Sequence, residues 1–237
     1  MIWIDDNPMG VDLSAAVSLL SDQRRERMTR FKRETDRKTC AAAYLLLCRA
    51  LREGMGIGGR PVFGYHEGGK PFLMDVPDVD FNMSHCRAAV VCAVGRRPVG
   101  IDVECIREFS VDLARYVLND GEYAAVMRSG RPDRAFICLW TMKESLLKLT
   151  GEGIRRELRE VLAVAPFEGS PMPSRSWAEC HGGVLSVDIP TGGIIVSDWA
   201  GLHFKTVVRA EYVCTLCCSQ TDVGAEPSLA DVTFVNR

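Results

Sequence analysis

The segment VGIDVE at residues 99–104 is the part of the sequence that most restricts the fold. Its apolar residues alternate with small or acidic ones, which is the period of a half-buried β-strand. Two residues of strand rise place the backbones of Asp102 and Glu104 only about 6.6 Å apart, with both side chains on one face. Gly100 adds no side chain to that face, which predicts open space beside the two carboxylates. Such a surface suits a hard cation beneath a polyanion, and the solvent-facing side of an edge strand is the structural alternative.

Length and composition indicate a folded, water-soluble protein. The 237 residues can form one large domain or two small ones, and the 47% hydrophobic and 25% charged residues are ordinary for a globular chain. The formal net charge of −2 gives no overall attraction to nucleic acid or anionic membranes. No apolar run approaches the roughly 20 residues that span a bilayer, and the acidic start MIWIDDNPMG does not resemble a signal peptide. We therefore expect a cytoplasmic protein without a membrane partner.

Residues 24–38 form a strongly basic stretch, with eight Lys or Arg against three acidic residues. In a chain of net negative charge, this predicts a partner with concentrated negative charge, either a nucleic acid or a phosphorylated small molecule. A solvated helix face with i,i+4 pairs such as Arg30–Glu34 is the structural alternative. The periodicity from Ser21 to about Arg52 is helical and allows a break near Phe31.

A second helix is predicted from about Pro132 to Thr150, because proline suits the first turn and glycines follow the last. Trp140, Glu144 and Lys148 form a stripe at i, i+4 and i+8, beside an apolar seam. From residue 161 onward the pattern predicts strands: VLAVAPF, GGVLSVDI, GIIVSDW, LHFKTVVRA and EYVCTLCC.

The cysteines near the end of the chain allow two interpretations. Cys214, Cys217 and Cys218 form a CxxCC that suits a buried strand better than a zinc site, which would need a second ligand pair. His203 and His181 have no obvious partner in the sequence. The tail from about residue 221 has little periodicity and is expected to be poorly ordered.

Three motifs together resemble the Sfp-type 4′-phosphopantetheinyl transferases: FNMSH at 81–85, VGIDVE at 99–104, and FICLWTMKESLLKLTGEG at 136–153. The resemblance implies an α+β fold with two pseudo-symmetric halves, each a small antiparallel sheet packed on a long helix. Residues 1–97 would form the N-terminal half and residues 98–220 the C-terminal half, with the active site between them and a tail at 221–237.

The resemblance also implies the reaction. The family transfers the 4′-phosphopantetheine arm of coenzyme A to a serine of an acyl or peptidyl carrier protein, with Mg²⁺, and releases adenosine 3′,5′-bisphosphate. We expect a monomer without a nucleic-acid partner, and a carrier protein that docks near residues 105–130, with Arg115, Tyr116, Val117 and Leu118 as candidate contacts. The alternative is a non-catalytic nucleotide- or nucleic-acid-binding protein that uses the basic stretch 24–38.

The site residues follow from the positions of the family motifs. The resemblance assigns three carboxylates to Mg²⁺: Asp102, Glu104 and Glu144. A base must accept the serine proton, and Glu144, directly or through a metal-bound water, is the first candidate and Glu104 the second. Lys148 would lie beside the phosphates. The implied ligands of coenzyme A are Arg24, Arg27, Arg37 (or Lys38, in a shifted register), Lys70, Ser84, His85 and Lys148. Trp140 is expected to be a packing residue, and the role of Lys143 is left open.

Overall fold

The structure is a computed structural model that describes residues 1–151, 153, 157–163, 192–219 and 232–235. It is a mixed α+β structure with three small sheets in the described residues, which confirms the α+β part of the predicted fold. The chain forms two compact units that divide between Val99 and Gly100. Of the described residues, the first unit contains 1–99 and 232–235, and the second unit contains the others.

The first unit is built on a four-stranded sheet of order β10-β1-β5-β4. Helix α3 lies against β5, β1 and β4 and buries its apolar face there. The other elements are a 3₁₀ turn, two shorter helices and a two-stranded antiparallel sheet of β2 and β3. The bounds of these elements are β1 Ile2–Asp5, 3₁₀ turn Pro8–Gly10, α1 Leu13–Val17, α2 Asp22–Thr29, α3 Glu34–Met55, β2 Phe63–Tyr65, β3 Pro71–Leu73, β4 Asp80–His85, β5 Val90–Gly95 and β10 Val232–Phe234.

Two features of the first unit differ from the sequence predictions. The sheet is not purely antiparallel, because β10 pairs in parallel with β1. The expectation of a poorly ordered tail over 221–237 is therefore wrong for Val232–Phe234, which forms a strand. Residues 220–231, 236 and 237 lie outside the described residues.

The basic stretch 24–38 is also not one continuous helix. It comprises α2, a four-residue connection at 30–33 and the first turn of α3. Arg33 has an extended backbone at the N-cap of α3, and Glu34 and Asp36 follow in the first turn, where acidic groups favour a helix start. The expected break near Phe31 is confirmed, and the partly buried Phe31 packs on the core of this unit.

The second unit has a four-stranded sheet of order β6-β9-β8-β7. Helix α6 lies across β9 and β8, and α5 packs on α6. Asn119 and Glu122 form a capping box that begins α5, while Gly151, in the left-handed conformation, ends α6. The bounds are β6 Val99–Cys105, α4 Val111–Val117, α5 Asp120–Arg128, α6 Pro132–Thr150, β7 Ile194–Trp199, β8 Leu202–Val208 and β9 Tyr212–Ser219.

Most of the predicted elements of the second unit are confirmed, including the helix Pro132–Thr150 and the three last strands. The predicted strand at VLAVAPF is wrong for residues 161–163, which form turns, and its remaining residues lie outside the described ones, as do GGVLSVDI and His181. No helix in the described part of the chain is long and apolar enough to cross a membrane.

Candidate functional site

Gly100 determines how closely α6 approaches β6. A Cβ built on Gly100 would lie 2.0 Å from the carbonyl oxygen of Ser145 and 2.5 Å from the backbone nitrogen of Leu149. The predicted open space beside the carboxylates is therefore wrong at this position, because the backbone of α6 fills it. The glycine is required by the helix–strand contact and does not provide room for a ligand.

The contact at Gly100 aligns α6 with the acidic face of β6. The two elements run in opposite directions: Gly100 meets Ser145 and Leu149, Asp102 meets Lys148, and Glu104 lies near Trp140. Four residues of strand advance about 13 Å, as do nine residues of helix, so the two rows of side chains stay in step. The predicted stripe of Trp140, Glu144 and Lys148 consequently faces the predicted carboxylates.

An ion pair lies at the centre of this contact. Lys148 Nζ donates to Asp102 Oδ1 at 2.5 Å, and the Asp102 side chain is only 5% exposed whereas that of Lys148 is 29% exposed. Glu144 lies one helical turn before Lys148 on the same face. Its Oε1 is buried and accepts no hydrogen bond from the described residues.

The carboxylates of this cluster are close enough to perturb one another. Burial raises the pKa of Glu144, and the charge of Asp102 raises it further, while Lys148 acts in the opposite direction. Burial and Asp102 also raise the pKa of Glu104, whereas Arg107, Lys148 and the Trp140 indole lower it. Negative charge is thus concentrated on a partly dehydrated face, where Lys148 and Arg107 partly balance it.

The donor atoms of this cluster are those that Mg²⁺ prefers. No group of three or more His, Cys, Asp or Glu in the described residues is arranged to hold a metal ion. The donor chemistry nevertheless fits, because carboxylate oxygens are the ligands of hard cations, and the raised pKa values and the unsatisfied Glu144 Oε1 indicate a deficit of positive charge.

A basic groove of about 480 Å³ lies in the first unit and is lined by residues from 24–43 and 85–87. Its lining includes the predicted ligands Arg24, Arg27 and His85, together with Arg33 and Arg87. Asp36 is the one acidic residue among the described residues that line it. The groove therefore carries a large local excess of positive charge and suits an anion with more than one negative charge.

Arg24 is the most constrained cation of the groove. It is 8% exposed, its Nε donates to the carbonyl oxygen of Cys40 at 3.3 Å, and its guanidinium lies over the Phe63 ring. It forms no ion pair with an acidic side chain in the described residues. Burial lowers the pKa of Arg24, because its charge is held away from water without an acidic side chain beside it in the described residues.

Ion pairs separate the structural cations of the basic stretch from those that face the groove. Arg25 pairs with Asp22, Arg30 with Glu26 at 2.5 Å, and Lys38 with Glu34 at 3.1 Å, all at i,i+3 or i,i+4. Arg27 and Arg33, which line the groove, form no such pair in the described residues. The solvated-face interpretation thus holds for one part of the stretch and a binding role suits the other.

Three other predicted ligands lie outside the lining of this groove. Arg37 donates from Nη2 to the carbonyl oxygen of Lys32 at 3.2 Å. Lys70 Nζ contacts Asp80 Oδ2 at 2.9 Å and the carbonyl oxygen of Val99 at 3.3 Å. Ser84 precedes His85 on β4, so the two side chains point to opposite faces of that strand.

Lys143 has a structural environment. It is fully buried and forms an ion pair with Glu122 Oε2 at 2.8 Å. Its Nζ also donates to the carbonyl oxygens of Leu158 and Val161, at 2.8 and 2.7 Å. These three partners satisfy the ammonium group and fix α6 to the start of α5 and to residues 158–161.

The sequence prediction missed Arg33, Arg87 and the partner of His203. Arg33 and Arg87 lie in connections, beside predicted elements, and only the groove shows what they share. His203 Nδ1 lies 2.6 Å from Asp198 Oδ1, across the β7–β8 pair. The short turn between β7 and β8 was the available signal for that pair. Cys214, Cys217 and Cys218 lie in β9, which confirms the strand interpretation.

The candidate carrier contacts at the end of α4 differ in their exposure to solvent. Tyr116 is 73% exposed and Arg115 packs its guanidinium over the Tyr123 ring. Val117 and Leu118 are buried in the core of the second unit, so they are wrong as contact residues. The helical period turns Ala114 and Val117 inward, and Leu118 is buried just after the helix, where the backbone becomes extended.

Comparisons with known proteins identify similar chains. The family model described as "4′-phosphopantetheinyl transferase superfamily" matches residues 98–217, and the one described as "4′-phosphopantetheinyl transferase, N-terminal" matches residues 5–96. A 4′-phosphopantetheinyl transferase of Bacillus subtilis is 29% identical over 180 residues, which cover 74% of each chain. The 4′-phosphopantetheinyl transferase psf-1 of Bacillus pumilus is 30% identical over 169 residues, 70% of this chain and 72% of its own. The 4′-phosphopantetheinyl transferase HetI of Nostoc sp. is 31% identical over 172 residues, 69% of this chain and 72% of its own.

Proposed function

The chain belongs to the 4′-phosphopantetheinyl transferase superfamily, and we propose one role in binding coenzyme A for its acidic cluster and another for its basic groove. It is a 4′-phosphopantetheinyl transferase, an enzyme that moves the phosphopantetheine arm of coenzyme A to a carrier protein. The basic groove would take the 3′-phosphate, and the acidic face of β6 and α6 would serve the diphosphate. The observation that carries this proposal is the alignment of Asp102, Glu144 and Lys148 on one helix–strand contact.

Asp102, Glu104 and Glu144 are proposed to hold Mg²⁺. The bound ion would neutralise the repulsion between these carboxylates and the negative charge of the diphosphate. The support from this chain is the raised pKa of both glutamates and the buried, unsatisfied oxygen of Glu144.

Lys148 is proposed to stabilise charge on the phosphate oxygens. Its ammonium is paired with Asp102, which fixes its position, and its side chain remains accessible enough to reach an anion. Positioning and charge neutralisation are the main demands of phosphoryl transfer, so a fixed ammonium beside the diphosphate supplies much of what the reaction needs.

The acceptor serine must lose a proton. In the proposed step its hydroxyl oxygen attacks the phosphorus attached to pantetheine, and the bond from that phosphorus to the bridging oxygen of the nucleotide breaks. The proton passes to Glu144 or, as the second candidate, to Glu104. A carboxylate with a raised pKa is a stronger proton acceptor once ionised, and both glutamates have this property. Adenosine 3′,5′-bisphosphate leaves.

Arg24, Arg27 and His85 are proposed to bind the 3′-phosphate, and Arg33 and Arg87 join them in the same groove. The guanidinium of a buried, unpaired arginine matches a phosphate through charge-assisted hydrogen bonds. Arg37, Lys70 and Ser84 remain predictions that rest on the resemblance alone. The pseudo-symmetry of the two halves is proposed as well, supported by one four-stranded sheet and one long helix in each unit.

Modification of a carrier tests the reaction. The protein is mixed with coenzyme A, Mg²⁺ and a panel of apo carrier proteins, and intact mass spectrometry measures addition of phosphopantetheine. We expect Glu144→Gln and Asp102→Asn to abolish the modification, and the exposed Glu211→Gln to leave it intact. Addition of a chelator should stop the reaction and Mg²⁺ should restore it. Full activity in Glu144→Gln, or with chelator, would refute the assignment of the acidic cluster.

Ligand binding tests the groove. Dephospho-coenzyme A lacks the 3′-phosphate, so the groove should bind it more weakly than coenzyme A. Arg24→Met should lose this discrimination, with binding of coenzyme A falling on the order of 10–100-fold, as expected for a lost hydrogen bond to a charged group. Arg25→Met, which removes a surface ion pair, is the matched control. Equal loss for both ligands would show that Arg24 does not contact the 3′-phosphate, and tight, chelator-insensitive binding of nucleic acid would favour the non-catalytic alternative.

A further inference from the structure

Cys86 places a thiol in the basic groove. It follows His85 at the end of β4, and its backbone N–H donates to the carbonyl oxygen of Ala89 at 2.9 Å, which fixes the turn into β5. The residue is partly exposed, is not in a disulfide and lines the groove together with Arg27, Arg33 and Arg87. The Cys86 side chain therefore lies among guanidinium groups in a basic groove.

The groove has a second feature that indicates an anionic ligand. Arg24 lines the groove and is only 8% exposed. It forms no ion pair with an acidic side chain in the described residues. A buried cation without a counterion favours binding of an anion at the same place. An anion that also carries a reactive sulfur would thus be concentrated beside the Cys86 thiol.

The other cysteine of the groove differs in its environment. Cys40 is buried, and this burial raises the pKa of its thiol against the opposing effect of Arg24 and Arg27. Buried thiols of this kind are poorly reactive, whereas accessible thiols near guanidinium groups are the ones that exchange with disulfides. Among the described residues lining the groove, Cys86 is the accessible sulfur.

We propose that Cys86 is a modification site that forms a mixed disulfide with anionic low-molecular-weight disulfides, and that this modification blocks the groove. The Cys86 thiol loses its proton to solvent, and the thiolate attacks one sulfur of the disulfide. A new S–S bond forms to Cys86, the original S–S bond breaks, and the second half leaves as a thiolate that takes up a proton. The consequence for coenzyme A rests on the proposed function, because the attached anion would occupy the positions of the 3′-phosphate.

The test measures labelling directly. The reduced, full-length protein is incubated with oxidised glutathione, with the disulfide of coenzyme A, or with the uncharged bis(2-hydroxyethyl) disulfide, and intact mass and peptide mapping report the adduct. We expect both anionic reagents to label Cys86 at least on the order of tenfold faster than the neutral one at low salt, with the advantage lost as salt rises. Faster labelling by glutathione would assign carboxylates as the preferred anion, and faster labelling by the coenzyme A disulfide would assign phosphates.

Two variants provide matched controls. Cys86→Ser should lose the adduct, while Cys48→Ser should be labelled like the unchanged protein, because Cys48 is partly exposed but lies outside the groove and burial raises the pKa of its thiol to about 11. Equal rates for charged and neutral disulfides, or an adduct on another cysteine, would overturn the proposal.

Binding of coenzyme A then separates this inference from the proposed function. Labelled protein should bind coenzyme A at least tenfold more weakly than unlabelled protein, and dithiothreitol should restore binding. If labelled protein keeps its affinity, Cys86 does not control the groove. If unlabelled protein fails to bind coenzyme A while the charge-selective adduct still forms, the proposed ligand is wrong and the modification site stands.

Discussion

Replacing Gly100 by alanine should separate α6 from β6 and thereby disable the acidic cluster. The new Cβ would lie 2.0 Å from the Ser145 carbonyl oxygen, 2.5 Å from the Leu149 nitrogen and 3.0 Å from the Leu149 Cα. All three are backbone atoms of one helix, so no side chain can rotate away to make room. A carbon–oxygen contact needs about 3.2 Å, and the helix must therefore move by roughly 1 Å.

The size of the effect follows from this displacement. Overpacking of a rigid contact costs about 1–3 kcal/mol, and a clash with helix backbone belongs at the upper end. For a chain of this length, about 3 kcal/mol lowers the melting temperature by roughly 6–12 °C. The same shift would move Lys148 away from Asp102, now 2.5 Å apart, and a misplacement of about 1 Å reduces activity on the order of 100-fold.

Two measurements check this prediction, thermal unfolding and the rate of carrier modification. Gly58→Ala is the matched control, since a Cβ there meets nothing within 4 Å and the backbone conformation is compatible with alanine. We expect Gly58→Ala to match the unchanged protein in both measurements. If Gly100→Ala also keeps full stability and activity, then the contact between β6 and α6 is not as close as described, and the geometry of the acidic cluster must be wrong.

Three further predictions concern Lys148, the buried pair of Lys143 and Glu122, and the exposed Tyr116 of α4. Lys148→Met should move the acidic limb of the pH–rate profile to higher pH, because Lys148 lowers the pKa of Glu144 and the base must be ionised to act. An unchanged acidic limb would contradict this electrostatic role of Lys148. Lys143→Met should lower the free energy of unfolding by about 3–5 kcal/mol, measured with denaturant, because Glu122 is left buried without its partner. Adding Glu122→Gln should recover part of the loss, and no recovery would mean that the ion pair is not the cause. Tyr116→Ala should raise the KM for the carrier protein without changing binding of coenzyme A, and equal KM values would remove α4 from the proposed docking surface.

The sequence was most informative where periodicity is strong. The helix Pro132–Thr150 has a proline at its start, a glycine after its end and an apolar seam, and its bounds are confirmed. The break near Phe31 was predictable as well, although the resulting connection at 30–33 divides the basic stretch between two helices. By contrast, β10 was not predicted, because a three-residue strand carries too little pattern to be separated from a tail.

Some features of the candidate site could be predicted from the sequence, and others could not. Glu144 and Lys148 share a face by helical spacing alone, and Asp102 and Glu104 share one by strand alternation, so each row could be read from the sequence. Which cations bind and which are paired on the surface could not be read, because that depends on distances between residues. Arg25 and Arg24 are neighbours in the sequence, yet one is paired with Asp22 and the other is buried against Phe63.

Gly100 and Asp102 illustrate why the motif VGIDVE acts as a unit. The glycine lets the backbone of α6 come within contact distance of β6, and strand alternation then places Asp102 one step further along the same face, opposite Lys148. A larger residue at 100 would hold the helix away and leave the acidic side chains without their neighbours. The close approach also buries Glu144, which raises its pKa and leaves one of its oxygens unsatisfied. The packing requirement at Gly100 and the electrostatic need for a cation at the carboxylates are therefore two consequences of one helix–strand contact, and a change in the first must alter the second.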